Sequence, residues 1–235
     1  MIQLSYSTIN SCLQPNNSHN WINRQLGLKP EERPEWKAGN IAHNIIQKYI
    51  SGKEKNKDLA HIEYRFPIVE EKDFDERCKF DFNFKSFMKE AENASGKPLE
   101  GKGIKVLDWF QGEYNIIGFY DGLDIKNGRM LEIKSSDPVW SLGRFVSSMQ
   151  RKLYALSNSK FKEAVLVTCS KDPVKWKNEK PKVYSVSLNG KDRMDAINWI
   201  IDAIKLLESG KFDGGLEDGK CTNPYCYYGS NCSFK

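Results

Sequence analysis

The chain has 235 residues, with 36 Lys+Arg against 31 Asp+Glu and a formal net charge of +5. That length can bury a full core within one large domain, and the mild positive balance permits a polyanionic partner without requiring one. There is no apolar run of about 18 residues or more, and the opening MIQLSYSTINS is too polar for a secretion signal, so a soluble, cytoplasmic protein with no membrane partner is expected.

In chain order, residues 6–50 read as mostly helical. Pro34 suits a first helical position; Trp36, Ile41, Ile45, Ile46 and Tyr49 then give an apolar face, and Gly52 can end the helix. Residues 61–69 read as a strand, with Glu63 as a weaker candidate either to bind metal or to support its ligands. Residues 71–98 are charged, with a helix expected around FNFKSFMKEAEN before the Gly96-Lys97-Pro98 break. Strand-like runs follow at 103–110, 115–124, 130–136, 164–169 and 182–188, and helices at 143–158 and 192–208. Phe145, Val146, Met149, Leu153 and Leu156 form the expected buried stripe of the first helix; Met194, Ile197, Ile200, Ile201, Ile204 and Leu207 form that of the second. Segment 171–182, KDPVKWKNEKPK, clusters lysines around Trp176 and reads either as a solvated loop or as a phosphate-contacting, base-stacking one. The simplest packing is α/β, a mixed central sheet flanked by helices. The expected organisation is a single domain, 1–235: an N-terminal helical segment over 1–52, a core over 53–208 and a Cys-rich tail over 209–235.

The most informative stretch is GFYDGLDIKNGRMLEIKSS, residues 118–136. Asn127-Gly128 is a strong two-residue hairpin signal because both turn positions tolerate positive φ. On that turn Lys126 pairs with Arg129, Leu123 with Glu132 and Asp121 with Lys134. Side chains alternate with period two, so Asp121, Glu132 and Lys134 share one face while Leu131 and Ile133 take the other. Two carboxylates on diagonal positions, roughly 7–8 Å apart at the backbone, can reach one hard cation such as Mg²⁺ or Mn²⁺. A lysine beside them can orient an attacking water and stabilise developing negative charge.

Six cysteines occur, at 12, 78, 169, 221, 226 and 232. Cys169 follows AVLVT and reads as a buried strand residue, and Cys78 as a lone thiol. The tail CTNPYCYYGSNC spaces Cys221, Cys226 and Cys232 as C-x₄-C-x₅-C. Three thiolates need a fourth ligand for either a tetrahedral zinc site or a cubane cluster. Cys12 is the natural candidate, since it precedes the core and the triplet follows it.

Gly118-x-x-Asp121-Gly122, then Glu132-x-Lys134, then Gln150-x-x-x-Tyr154, with His43 on a preceding helix, resemble the RecB-like branch of the PD-(D/E)XK nucleases over roughly residues 34–160. The cysteines extend the resemblance over nearly the whole chain, toward the iron–sulfur-containing CRISPR-adaptation exonucleases and related phage nucleases. The resemblance implies a restriction-endonuclease-like core. It also implies Mg²⁺ or Mn²⁺ held by His43, Asp121, Glu132 and the Ile133 carbonyl, with Gln150 and Tyr154 placing Lys134 or the nucleic-acid strand. It implies a [4Fe–4S] cluster on Cys12, Cys221, Cys226 and Cys232. Similar nucleases usually space the late cysteines C-x₂-C-x₅-C and follow the early one with proline, so zinc stands as the alternative. The implied function is a DNA exonuclease acting on single-stranded ends in recombination, repair, CRISPR adaptation or phage replication. Its setting would be a prokaryotic or virus-infected cytoplasm, with a recombination or CRISPR-integration protein as a further partner. The alternatives are a DNA-binding or assembly module without catalysis and a flap or structure-specific endonuclease.

Overall fold

A computed structural model describes residues 2–62, 79–83, 100, 101, 104, 105 and 114–235. Along the chain it places β1 (Ile2–Leu4), α1 (Tyr6–Cys12), α2 (His19–Gln25), α3 (Pro34–Ile50), β2 (Lys79–Asn83), β3 (Glu100–Gly101), β4 (Ile104–Lys105), β5 (Tyr114–Phe119), β6 (Gly122–Asp124), β7 (Arg129–Ser135), α4 (Leu142–Ser147), α5 (Met149–Leu156), β8 (Glu163–Cys169), β9 (Lys182–Ser187), α6 (Gly190–Ser209), β10 (Leu216–Glu217) and β11 (Lys220–Cys221). Glu63 with most of the strand expected at 61–69, Cys78, most of the helix expected around FNFKSFMKEAEN and most of the run 103–110 lie outside the described residues. Among the described residues no helix is long and apolar enough to cross a membrane.

The chain groups into two compact units. One comprises Met1–Glu32, Asp81–Ile117 and Asp195–Lys235; the other comprises Arg33–Phe80 and Gly118–Met194. The N-terminal segment and the C-terminal tail thus belong to the same unit, while α3, with His43, belongs to the other.

The second unit is built on a mixed sheet ordered β6-β7-β8-β9, with β7 and β8 parallel and the outer pairs antiparallel. A parallel pair needs a long crossover, and α4 with α5 supplies it. β8 is buried from Ala164 through Cys169, as a central strand covered on both faces should be. On one face, Leu131 and Ile133 of β7 with Val165 and Val167 of β8 meet the stripe Ala42, Ile46, Tyr49 and Ile50 of α3. That stripe is turned relative to the expected face. Trp36 and Ile41 are 40% and 59% exposed, because positions 42, 46, 49 and 50 follow the i, i+4, i+7, i+8 line that faces the sheet. The helix ends as expected. Gly52 adopts φ +75°, and Gly52 N–H and Lys53 N–H donate to Tyr49 O and Lys48 O, both at 3.0 Å, the bonds of a Schellman cap.

Two local expectations are corrected. The β6–β7 turn is a four-residue loop, not two: Asp124 pairs with Arg129, Leu123 with Met130 and Gly122 with Leu131. Asp124 decides this, because its carboxylate accepts from Asn127 N at 3.2 Å, from Asn127 Nδ2 at 2.8 Å and from the Arg129 guanidinium. Its pKa is held down: burial pushes it up, but these donors outweigh burial. The register moves by two residues, so side-chain parity survives, and continuing it one step sets Asp121 opposite Glu132 rather than Lys134. The helix expected over 143–158 breaks at Ser148, which is extended (φ −62°, ψ 119°). Arg151 occupies the break. Its Nε donates to Phe145 O at 3.2 Å and Nη2 to Val146 O at 2.7 Å, while the guanidinium pairs with Asp192. Val146, expected inside, is 44% exposed as a result.

In the first unit β1 runs parallel to β5, pairing Ile2 with Tyr114 and Leu4 with Ile116, and β2 takes the other side of β5. The buried face of α6 runs Ala196, Ile197, Ile200, Ile201, Ala203, Ile204. The tail forms the short hairpin β10–β11 across Asp218-Gly219, both at positive φ (48° and 76°), as a type I′ turn requires.

Candidate active site and metal centre

Seven of the residues singled out by sequence meet in the second unit. His43 and Gln47 lie four apart on α3 and so share a face, and both hold Asp121. His43 Nε2 lies 3.4 Å from Asp121 Oδ1, and Gln47 Nε2 donates to the Asp121 carbonyl at 3.3 Å. Asp121 Oδ2 accepts from the Ile133 N–H at 2.7 Å, which locks the carboxylate against β7. Ile133 thus contributes its N–H to the site, while its side chain is 1% exposed in the core. On the opposite face of β7, Lys134 Nζ is ion-paired with Glu132 Oε1 and donates to Gln150 Oε1 at 2.9 Å. Gln150 Nε2 in turn donates to Tyr154 OH at 3.1 Å, and the Tyr154 ring packs edge-on against Tyr120 at 5.4 Å. The break at Ser148 starts α5 afresh, and it is α5 that carries Gln150 and Tyr154.

The electrostatics are those of two carboxylates confined together. Burial first, then the charge of Asp121, raises the Glu132 pKa to about 7, although Lys134 and His43 pull it down. For His43, burial works against the imidazolium, but the hydrogen bond and charge of Asp121 outweigh it and the pKa rises. Burial, reinforced by Glu132, pushes the Tyr154 phenol far up, so it remains a neutral hydroxyl. Two carboxylates and one imidazole offer atoms of the kind that hard divalent cations take, oxygen first and nitrogen second.

Sequence reading missed Trp140. Its ring lies 4.3 Å from the Arg144 guanidinium and 5.6 Å from Lys134 Nζ, held by Trp140 N–H donating to Thr168 Oγ1 at 3.2 Å. The signal was its position six residues beyond Lys134, after a Ser-Asp-Pro turn. Conversely, Trp176 is no stacking platform: it is 1% exposed and its indole N–H donates to Ser170 O at 3.1 Å. The surrounding lysines at 175, 177, 180 and 182 stay exposed. Arg151 adds no surface charge, being 2% exposed and paired with Asp192. A cleft of about 970 Å³ in this unit is lined by His61, Asp137, Lys175, Lys180 and Lys182 among others, and neither Asp121 nor Glu132 borders it.

The cysteine centre lies in the first unit. Cys221, Cys226 and Cys232 come together as expected, but the fourth residue is His19: its ring nitrogen and the three sulfurs all lie within 4.8 Å of one another, and all four residues are buried. Cys12, expected as the fourth member, stands outside this group. Cys12 ends α1, 1% exposed, with its sulfur 3.4 Å from Ser11 Oγ and hydrogen-bonded to Tyr228; burial raises its pKa despite those contacts. His19 opens α2 instead, and its Nδ1 lies 2.7 Å from Gly214 O. The close approach depends on glycine: a Cβ at Gly214 would collide with the Pro15 carbonyl and with Ser18 Oγ. Burial, with the neighbouring thiols adding to it, raises the Cys226 pKa to about 11. The donor set suits a transition metal.

Comparison with protein-family models, with curated proteins and with solved structures finds no match to this chain.

Proposed function

We propose that this chain is a metal-dependent nuclease of the PD-(D/E)XK type, hydrolysing DNA at single-stranded ends. One observation carries the reading: β7 joins two hydrogen-bonded groups, His43 with Asp121 on the Ile133 N–H, and Glu132 with Lys134, Gln150 and Tyr154. Asp121, Glu132 and His43 would hold Mg²⁺ or Mn²⁺, with the Ile133 carbonyl as a further ligand. The bound ion supplies Lewis-acid charge at a phosphate oxygen and a more acidic water. The protein's own contribution is placement. The Ile133 N–H fixes Asp121. Gln150, itself anchored on a phenol that stays protonated, aims the Lys134 ammonium to where the attacking water and the phosphate's negative charge must sit. The exposed lysines of 171–182 would contact backbone phosphates without reading sequence.

The test is cleavage of end-labelled linear and circular single strands with magnesium or manganese. Progressive shortening of linear DNA alone is expected, faster with manganese because imidazole binds it better. Cutting of circles would make the enzyme an endonuclease. Retention of both substrates uncut, with either metal, would leave only a binding module and overturn the proposal.

Trp140 offers an aromatic face beside two cations. Base stacking on such a face contributes about 1–3 kcal/mol per base. Trp140→Ala is therefore expected to weaken single-strand binding by roughly tenfold or more at fixed salt, measured by fluorescence anisotropy, with duplex affinity little changed. Equal losses for both substrates would assign Trp140 to packing.

A further inference from the structure

We infer that the tail centre is a mononuclear zinc site of three thiolates and one imidazole, with His19 as the fourth ligand, and that it does not hold a [4Fe–4S] cluster. The inference is independent of the nuclease reading and rests on donor identity, spacing and the groups around the donors.

Spacing decides between one ion and four. With Zn–S of about 2.3 Å and Zn–N of about 2.0–2.1 Å, tetrahedral angles put sulfur about 3.8 Å from sulfur and about 3.6 Å from nitrogen. The Cys226 Sγ to His19 Nε2 distance is 3.7 Å, and no pair of the four donor atoms is more than 4.8 Å apart. A cubane places a separate iron under each thiolate, so iron–iron separations add to the iron–sulfur bonds and the four ligands stand much farther apart. Such a cluster would need the tail to open away from α2. It would also need Cys12 to leave Tyr228, or His19 to serve where cubane clusters take thiolate.

The surroundings are built for His19. Its Nδ1 meets the Gly214 carbonyl at 2.7 Å; a carbonyl can only accept, so the proton sits on Nδ1 and the Nε2 lone pair faces the sulfurs. Metal-binding histidines are oriented in this way, the second nitrogen donating to a carbonyl. Gly214 itself is tied down, its N–H donating to Ser18 Oγ at 2.8 Å. Asn23 Nδ2 donates to Cys232 Sγ at 3.2 Å, a contact that stabilises a thiolate. Asn20 Oδ1 accepts from the Cys226 thiol at 3.3 Å; turning that amide by half a rotation would offer its NH₂ to the thiolate once metal displaces the proton. The hairpin β10–β11 presents Cys221, whose N–H donates to Phe234 O at 2.7 Å. Beyond the cysteines, the buried cluster here contains only Tyr228, with Leu28, Leu216, Tyr227 and Phe234 partly covered. With so little apolar material, a closed ion would supply much of what joins α2 to the tail.

The experiment is metal and sulfide analysis of the whole protein purified without chelator and without oxygen, as wild type, Cys12→Ala, His19→Ala and His19→Cys. Near one zinc per chain is expected in wild type and in Cys12→Ala, with no sulfide and no absorption near the 400 nm region. His19→Ala is expected to bind zinc more than about a hundredfold more weakly, since loss of a supporting partner alone costs about 10–100-fold. His19→Cys is expected to restore binding, which separates a ligand role from a folding defect. Cobalt loaded into wild type and into His19→Cys is expected to give different thiolate charge-transfer intensities, reporting three and four sulfurs. Iron and sulfide near four per chain, lost in Cys12→Ala and kept in His19→Ala, would overturn the inference. So would wild-type protein that neither retains nor takes up zinc. Asp121→Ala should keep its zinc, so failure of the nuclease assignment would leave this result standing.

Discussion

In the proposed nuclease, Glu132→Gln should lower DNA cleavage on the order of 10³-fold or more, because it would remove a charged metal ligand and the counter-ion of Lys134 together. The side chain is 7% exposed, so no solvent takes its place. The same change should alter stability in the opposite sense when no divalent ion is present. Folded Glu132 titrates at about 7 against an ordinary 4.5. The folded state therefore holds the extra proton between those values, and stability is lost as pH rises from 4.5 through about 7. A neutral amide has no such slope. In metal-free buffer at pH 8 the variant should exceed wild type by on the order of 1–2 kcal/mol, a full shift discounted for the lost Lys134 contact. Urea denaturation at pH 5 and pH 8 measures it. Parallel pH profiles for the two proteins would remove Glu132 as the cause, and undiminished cleavage by the variant would remove the active site.

Asp192→Asn should be costly although it lies outside the site. Arg151 Nη2 and Nη1 donate to Asp192 at 2.7 and 3.2 Å, with Arg151 2% and Asp192 8% exposed. Asp192 also closes the start of α6: it accepts from Asn189 N–H at 3.2 Å, while its own N–H donates to Asn189 Oδ1 at 3.0 Å, a reciprocal capping box. Removing one charge strands the guanidinium in the core, at about 3–5 kcal/mol and a fall in Tm of roughly 10 °C. Burial raises the Asp192 pKa, but Arg151 more than reverses this and the net shift is downward. The stabilisation is therefore present above the ordinary carboxylate pKa of 3.8 and is lost as pH falls through the lower folded value. Because Arg151 holds the α4–α5 break and follows Gln150, cleavage by the proposed nuclease should drop as well. A loss below about 1 kcal/mol would show that the break stands without the pair.

The sequence by itself determined what period and local chemistry can fix. Pro34 and Gly52 bounded α3. The apolar run Ala164–Cys169 was a central strand, and alternation through Leu131–Lys134 put the charged pair and the apolar pair on opposite faces. That face assignment survived a two-residue error in register because side-chain direction depends only on parity. The mixed sheet flanked by helices followed from the same signals. Tertiary structure decided what depends on partners far along the chain. Arg151 is taken into the core by Asp192, 41 residues later. The His/Cys cluster shows the difference most clearly. Cysteine spacing named three of its members, but nothing local distinguishes Cys12 from His19 as the fourth. His19 is oriented by Gly214, far along the chain, whose bare backbone comes close enough for its carbonyl to meet the imidazole.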